Sequence, residues 1–185
     1  MTVEQVLERF PEEVSLRDGS KVVVRPLLKD DVQRLLRFFR EEVLEEDIAF
    51  LKDDVKSEEV IGRWCSHLDY GRVLPLVAIK EDRIVANASL HMRGFGWAKY
   101  VGKVRITTSF RHRRKGLGSQ MLKIIEEIAR ELMLERLWAE MIVGAQDAAI
   151  KLFEKAGYSC EGVLKRIATD PSGKRYDLAI YIKRL

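Results

Sequence analysis

Four fixed cations and two glycines stand within eight residues of this chain, in Arg111-His-Arg-Arg-Lys-Gly-Leu-Gly118. A β-rich run, Val104-Arg-Ile-Thr-Thr108, enters this stretch, and an amphipathic run from Gln120 to Leu132 leaves it. That order sets unpaired backbone N–H groups at the start of a helix, where they and the macrodipole attract an anion. Gly116 and Gly118 are expected to supply positive φ and to let a ligand approach the backbone closely. Arg111, Arg113, Arg114 and Lys115 add positive charge beside it. The chemistry served by this order is the holding of a phosphorylated ligand.

A triphosphatase loop requires G-x-x-x-x-G-K-[ST] and a dinucleotide fold requires G-x-G-x-x-G; neither occurs. What stands is Arg113-x-x-Gly116-x-Gly118, which resembles the [RQ]-x-x-G-x-[GA] pyrophosphate loop of the GNAT acetyltransferases. Further along, Ala149-Ile-Lys-Leu-Phe-Glu-Lys-Ala-Gly-Tyr158 is similar to the family's A-x-x-L-Y-E-K-x-G-F signature. The opening Leu16 to Asp31 also resembles the first strand and helix start of many members, in particular the domains of protein-lysine acetyltransferases. The resemblance runs over residues 14–185.

The resemblance implies an α+β fold: a mixed, mostly antiparallel central sheet with one splayed parallel strand pair and helices on both faces. Residues 1–13 form an extension, expected to be helical, and residues 14–185 the acetyltransferase domain. Acetyl-CoA would lie in the gap between the splayed strands, its pantetheine arm adding to a strand edge. Carried over, Ile106, Thr107 and Thr108 would bond that arm. The backbone of Arg113, Arg114, Lys115, Gly116, Leu117, Gly118 and Ser119 would hold the pyrophosphate, and Arg111 or Lys115 would reach the 3′-phosphate. No cysteine is placed to carry an acetyl group, so the resemblance implies direct transfer to a primary amine in a ternary complex. A protein lysine or N-terminal amine is the favoured acceptor. A polyamine or aminoglycoside is the alternative, and so is a catalytically weak acetyl-CoA-binding module.

Transfer to an amine needs a base for the nucleophile and polarisation of the carbonyl. Leu137-Trp-Ala-Glu140 resembles the L-W-L-E of ribosomal-protein N-terminal acetyltransferases, whose glutamate acts as base, so Glu140 is the candidate here. The spacing from Glu140 to the next motif is one residue longer than in that group. Either a β-bulge absorbs the extra residue or Glu140 faces the other side of its strand. The family's proton-donating tyrosine is replaced by Phe153, Gln146 stands where asparagine is usual, and Tyr158 reads as core.

Alternation and helical spacing supply the elements that must position these groups. A hairpin turns at Asp18-Gly19, and Asp30 or Asp31 caps a helix carrying Val32, Leu35, Leu36 and Phe39. Ser57 opens a second helix to Leu68, and strands follow at 74–79, 83–92 and 99–108. A helix at 117–132, a strand at 137–143, a helix at 146–156 and strands at 158–168 and 175–183 complete the chain.

The composition narrows the remaining classes. No apolar run is long enough to cross a bilayer and the N-terminus lacks the order of a signal peptide, so a cytoplasmic protein is expected. Cys65 and Cys160 read as reduced core thiols, and three dispersed histidines give no metal site. The glycine spacing in the basic run favours a CoA phosphate over nucleic acid, although Phe95, Trp97 and Tyr100 have the chemistry to stack on bases. The acidic stretch Glu41 to Asp47, with Asp53-Asp54, is either an attractor of cationic acceptors or a solvated helix end. A homodimer is left open.

Overall fold

The computed structural model describes residues 1–185. Its frame is one sheet of eight strands in the order β1-β2-β3-β4-β5-β6-β8-β7. The hairpin partners are β1 (Glu12–Ser15) with β2 (Lys21–Pro26), and β3 (Val73–Lys80) with β4 (Arg83–His91). Next come β5 (Val101–Thr108) and β6 (Arg136–Ile142), the one parallel pair. The long hairpin β7 (Ser159–Thr169) and β8 (Arg175–Arg184) closes the far edge, with β8 against β6. Helices lie on both faces, as the resemblance implied.

Side-chain alternation assigns the faces. Leu74, Leu76 and Ala78 of β3, Ala88 and Leu90 of β4, and Leu137, Ala139 and Met141 of β6 share one core. It is covered by α5 (Leu117–Glu131), which buries Met121, Leu122, Ile125 and Ile128 at helical spacing. The short α1 (Val3–Leu7) joins this core through Val6, while Arg9 pairs with Glu127 and Glu131 of α5. On the opposite face Val77 and Ile84 meet α2 (Val32–Arg37), a π-helical turn at Phe38–Glu42, and α4 (Glu58–Ser66). Between them runs a loop holding α3 (Glu45–Ile48). Strands covered on both faces lose strict polar alternation, which is why β3 reads Val-Leu-Pro-Leu-Val-Ala-Ile. The remaining helix, α6 (Asp147–Lys155), follows β6 and brings Phe153 into the α5-side core, edge-on to Tyr158 at 4.8 Å.

Several expectations need correction. Asp31 does not cap the helix by its side chain. It is 1 % exposed and clamps both Arg25 terminal nitrogens at 2.6 and 2.8 Å, while accepting from Leu28 N at 2.9 Å. A bidentate guanidinium outcompetes a capping bond for a buried carboxylate. Ser57 does cap α4, but that helix ends at Ser66, short of Leu68. Cys65 is buried as expected, whereas Cys160 is exposed, because β7 is the edge strand and most of its side chains face outward.

Gly102 sits where β5 begins to pair with β6. A Cβ there would stand 2.7 Å from Leu90, 2.8 Å from Leu137 and 2.9 Å from Leu134. Gly102→Ala should therefore cost about 1–3 kcal/mol by overpacking. For a chain of this size that lowers Tm by roughly 2–4 °C per kcal/mol. Calorimetric melting checks it; an unchanged Tm would show that the three leucines yield freely.

Candidate active site

The parallel pair holds for only three residues: Val101 faces Arg136, Gly102 faces Leu137 and Lys103 faces Trp138. Beyond that point β5 stays with β4 as far as Thr108 opposite Ala86, while β6 goes on with β8 as far as Ile142 opposite Leu178. The edge of β5 from Val104 to Thr108 thus has no strand beside it on the β6 side. Unpaired backbone groups along such an edge are a template for an extended ligand. Ile106, Thr107 and Thr108 all lie on it.

At its end Ser109 is fully buried; its hydroxyl donates to Glu42 at 2.6 Å and accepts from Arg111 N at 3.2 Å. A 3-10 turn at Phe110–His112 follows, and the backbone then curls through Arg114 at φ 64 and Gly116 at φ 85. Gly116 is the N-cap of α5 and offers no side chain to its first amides, so these N–H groups point out of the helix start. The left-handed conformation is free for Gly116 but costs energy at Arg114, two residues before it. Gly118, expected at positive φ, is instead an ordinary residue of the first turn of α5. Its need for glycine is spatial, since a Cβ would stand 3.2 Å from Leu152 of α6 and 3.8 Å from Thr108. Gly116 packs on the β1–β2 turn, its Cβ position 3.2 Å from Arg17.

The loop's cations already have carboxylate partners. Arg111 lies 3.6 Å from Glu42, Lys115 lies 3.0 Å from Asp18, and Arg113 pairs with Asp47 of α3. Arg114 has no ion pair. The acidic stretch is engaged in the same way, since Glu41 faces Arg83 at 3.6 Å and Glu45 pairs with Lys56. Glu46, Asp53 and Asp54 remain exposed without an ion pair.

On the α2–α4 face, beside the splay, lies a cavity of about 240 Å³. Leu35, Phe39 and Trp64 form its walls, Leu51 and Val55 close it from the α3–α4 loop, and Asn87, Ser89, His91, Arg105 and Thr107 make its floor. The floor residues face each other in register, Asn87 opposite Thr107 and Ser89 opposite Arg105. The Asn87 Oδ1 atom is buried and has no hydrogen-bond partner. His91 Nε2 lies 2.9 Å from Ser89 Oγ. Burial, then the neighbouring Arg105 and Lys103, push its pKa down to about 4, so the ring is neutral at physiological pH.

Glu140 projects to this same face, in step with Trp138 and Lys103. The register from Arg136 to Ile142 has no bulge, so the longer spacing falls in the turn at 143–146. There Gln146 Oε1 accepts from Ile142 N at 2.8 Å and Asp147 accepts from Gly144 N at 2.9 Å, holding the strand end to α6. The Glu140 carboxylate lies 2.6 Å from Lys52 and 2.8 Å from Lys103. Burial raises its pKa, but the hydrogen bonds from Lys103 and Lys52 outweigh burial and hold the carboxyl below the ordinary carboxylate value. Sequence reasoning missed Lys52, Asn87, Ser89 and Arg105; the sheet register brings the last three together, and Lys52 reaches Glu140 from the loop after α3. The structure holds no group of three or more histidine, cysteine, aspartate or glutamate residues disposed to bind a metal. No helix is long and apolar enough to cross a membrane.

A splayed parallel pair, an unpartnered strand edge and a helix start behind a glycine turn meet at one end of the sheet. Comparison with known proteins gives that architecture its family. Residues 32–158 match the model of the acetyltransferase (GNAT) family, and the chain belongs to it. It is an acetyl-CoA-dependent acetyltransferase. The GNAT domain of S. lividans PAT superposes with a TM-score of 0.77 at 25 % identity, covering 94 % of this chain and 96 % of that one. Ribosomal-protein-alanine N-acetyltransferase from Brucella melitensis gives 0.74 at 24 %, covering 88 % and 99 %. A phosphinothricin acetyltransferase from Sinorhizobium meliloti, solved in complex with AcCoA, gives 0.74 at 22 %, covering 89 % and 88 %. No curated protein matches the chain in sequence.

His91 gives the site a signature in acid. An unfolded histidine takes its proton near pH 6.5, whereas His91 in the fold takes it only near 4. Between those values the unfolded chain holds the extra proton, so stability is level above 6.5 and falls as pH drops through this window. His91→Asn should flatten that part of the curve in urea unfolding at pH 7, 5.5 and 4. A variant with the full wild-type loss would place the acid sensitivity elsewhere.

Proposed function

We propose that the protein transfers an acetyl group from acetyl-CoA directly to a primary amine that enters from the α2–α4 face. The observation that carries this reading is the bare β5 edge from Val104 to Thr108, which leads to the start of α5. The pantetheine arm extends that sheet edge along Ile106, Thr107 and Thr108. The pyrophosphate lies against the Arg113 to Ser119 backbone, where the first amides of α5 and the dipole meet it. The thioester then stands at the splay, with the floor of the cavity on its acceptor side. Thr107 belongs to both, which supports this alignment.

Glu140 is the base in this reading, since it shares a face with the cavity beside the splay and is ionised at neutral pH. Lys52 and Lys103 hold the carboxylate in place and also lower its basicity, so the step draws on proximity more than on proton affinity. Phe153 lies in the core and offers no proton to the leaving thiolate, which departs as the anion or is protonated by water.

For the acceptor, the sequence resemblance points to a protein lysine or N-terminal amine, and PAT and the ribosomal-protein enzyme are consistent with it. A second reading, a small amine, rests on the cavity itself: its mostly apolar space of about 240 Å³ is on the scale of one small molecule.

Acetyl-CoA binds only the folded chain in this account, so it should stabilise by about 2.7 kcal/mol at a hundredfold excess over Kd. Thermal melting with and without millimolar acetyl-CoA reads it directly, and a folded protein with no shift sinks the proposal. Glu140→Gln should leave acetyl-CoA affinity unchanged and lower kcat by about 10²–10⁴, the reach of general-base catalysis. The deficit should narrow as pH rises and more amine arrives neutral. Wild-type turnover at pH 7 would leave Glu140 as an ion-pair anchor only.

A further inference from the structure

The floor of the cavity carries two groups that nothing in the protein satisfies, and they sit one step apart. Asn87, opposite Thr107 at the splay end, has a buried amide oxygen without a donor. Such an atom is costly to leave unpaired and calls for an N–H. Arg105, opposite Ser89, is a half-buried guanidinium with no carboxylate partner. It contrasts with Arg111, Arg113 and Lys115, each of which is paired. A guanidinium facing a mostly apolar cavity calls for an anion. Asn87 on β4 and Arg105 on β5 are diagonal neighbours across the antiparallel pair, which sets their backbone positions about 7–8 Å apart.

None of the other charged groups around the cavity forms an ion pair with Arg105, although the Asp53 carboxylate is close enough to act on His91. Lys52 is bound to Glu140, Asp53 and Asp69 are exposed at the rim, and Asp69 accepts from Gly71 N at 3.1 Å. Lys103 is held by Glu140, and His91 is neutral at physiological pH. The floor is therefore cationic at one end and hydrogen-bond-accepting at the other, under walls of Leu35, Phe39 and Trp64.

We infer that the acceptor is a small apolar molecule carrying an amine and an anionic group a few bonds apart, as in a free amino acid with an apolar side chain. Its amine donates to Asn87 Oδ1 and thereby stands beside Thr107, its anion pairs with Arg105, and its side chain fills the space against Phe39 and Trp64. A lysine-bearing peptide lacks the nearby anion, and a polyamine brings further positive charge towards Arg105. The inference rests on the acetyltransferase reading and narrows its substrate.

The transfer balances as an aminolysis. The ammonium gives one proton to Glu140, directly or through water. The neutral nitrogen then bonds to the acetyl carbonyl carbon, the carbon–sulfur bond breaks with its electron pair on sulfur, and the second nitrogen proton passes through water to that thiolate, so that CoA leaves as the thiol.

The test is thiol release from acetyl-CoA with free leucine and methionine, the corresponding amino-acid amides, the corresponding amine lacking any carboxyl group, an aminoalkyl phosphonate analogue, spermidine and a lysine peptide. The free amino acids should exceed their amides in kcat/KM by at least tenfold, and Arg105→Met should bring acid and amide within about threefold of each other. The phosphonate arm decides whether the anion is read as a carboxylate or as any anion of that position. Calorimetric binding of leucine to the CoA-loaded protein gives a second readout, independent of turnover. Amides equal to acids in the wild type, or a lysine peptide or spermidine as the best acceptor, overturns the inference and leaves the acetyltransferase reading intact. No turnover with any amine overturns that reading and the inference with it.

Discussion

The separation of β5 from β6 after three paired residues is the constraint on which the site depends. A parallel pair gains hydrogen bonds with every residue it continues, so the parting must be imposed from outside. On one side β4 keeps β5 through Thr108; on the other β8 keeps β6 through Ile142. Each strand is fully served on its far edge and curves with that partner. In the paired stretch itself, three leucines close round Gly102 and leave no room for a side chain. The cavity, the bare edge and the start of α5 all converge on the wedge the parting leaves.

Charge organises the wedge as much as packing does. Glu140 is a half-buried carboxylate on the same strand face as Trp138, and its two lysines favour the ionised form there. Ser109 and Glu42 tie the end of β5 to the π turn of the other layer, and Arg111 adds a looser contact to the same carboxylate. The buried Asp31–Arg25 pair does similar work at the other end of the cavity, where Leu27 lines the wall. Ion pairs of this kind contribute little net stability, but they fix geometry where a purely apolar seam has no preferred register.

Much of this could be read from residue order. The strand entering a basic glycine turn, the helix behind it and the later Leu-Phe-Glu-Lys segment are local patterns, and the fold and family followed from them. The two glycines show the limit. Gly116 needs its left-handed φ, which sequence can suggest, but Gly118 needs space against Leu152, which lies 34 positions away in the chain. Asp31 looked like a cap because capping is local, and Arg25 claimed it because the β2 strand ends beside it. The acidic stretch read equally as an attractor of cations or a solvated helix end, and folding pairs Glu41, Glu45 and Asp47 with Arg83, Lys56 and Arg113 while Asp53 and Asp54 stay exposed. The cavity floor was invisible for the same reason: Asn87 and Arg105 become neighbours only through the β4–β5 register.

The pairing of Arg113 with Asp47 carries one more consequence. Asp47 belongs to the α3 helix, and the loop leaving that helix supplies Leu51 and Val55 to the cavity. A phosphate that takes the guanidinium therefore does so by exchange, setting a carboxylate free rather than filling a waiting charge. The released carboxylate is tethered to the roof of the second site, so the two ligands draw on a common element. Thermodynamic reciprocity then applies: whatever the first ligand does to the affinity of the second, the second does equally to the first. A surface ion pair is in this way the link through which one ligand's binding would alter the other's affinity.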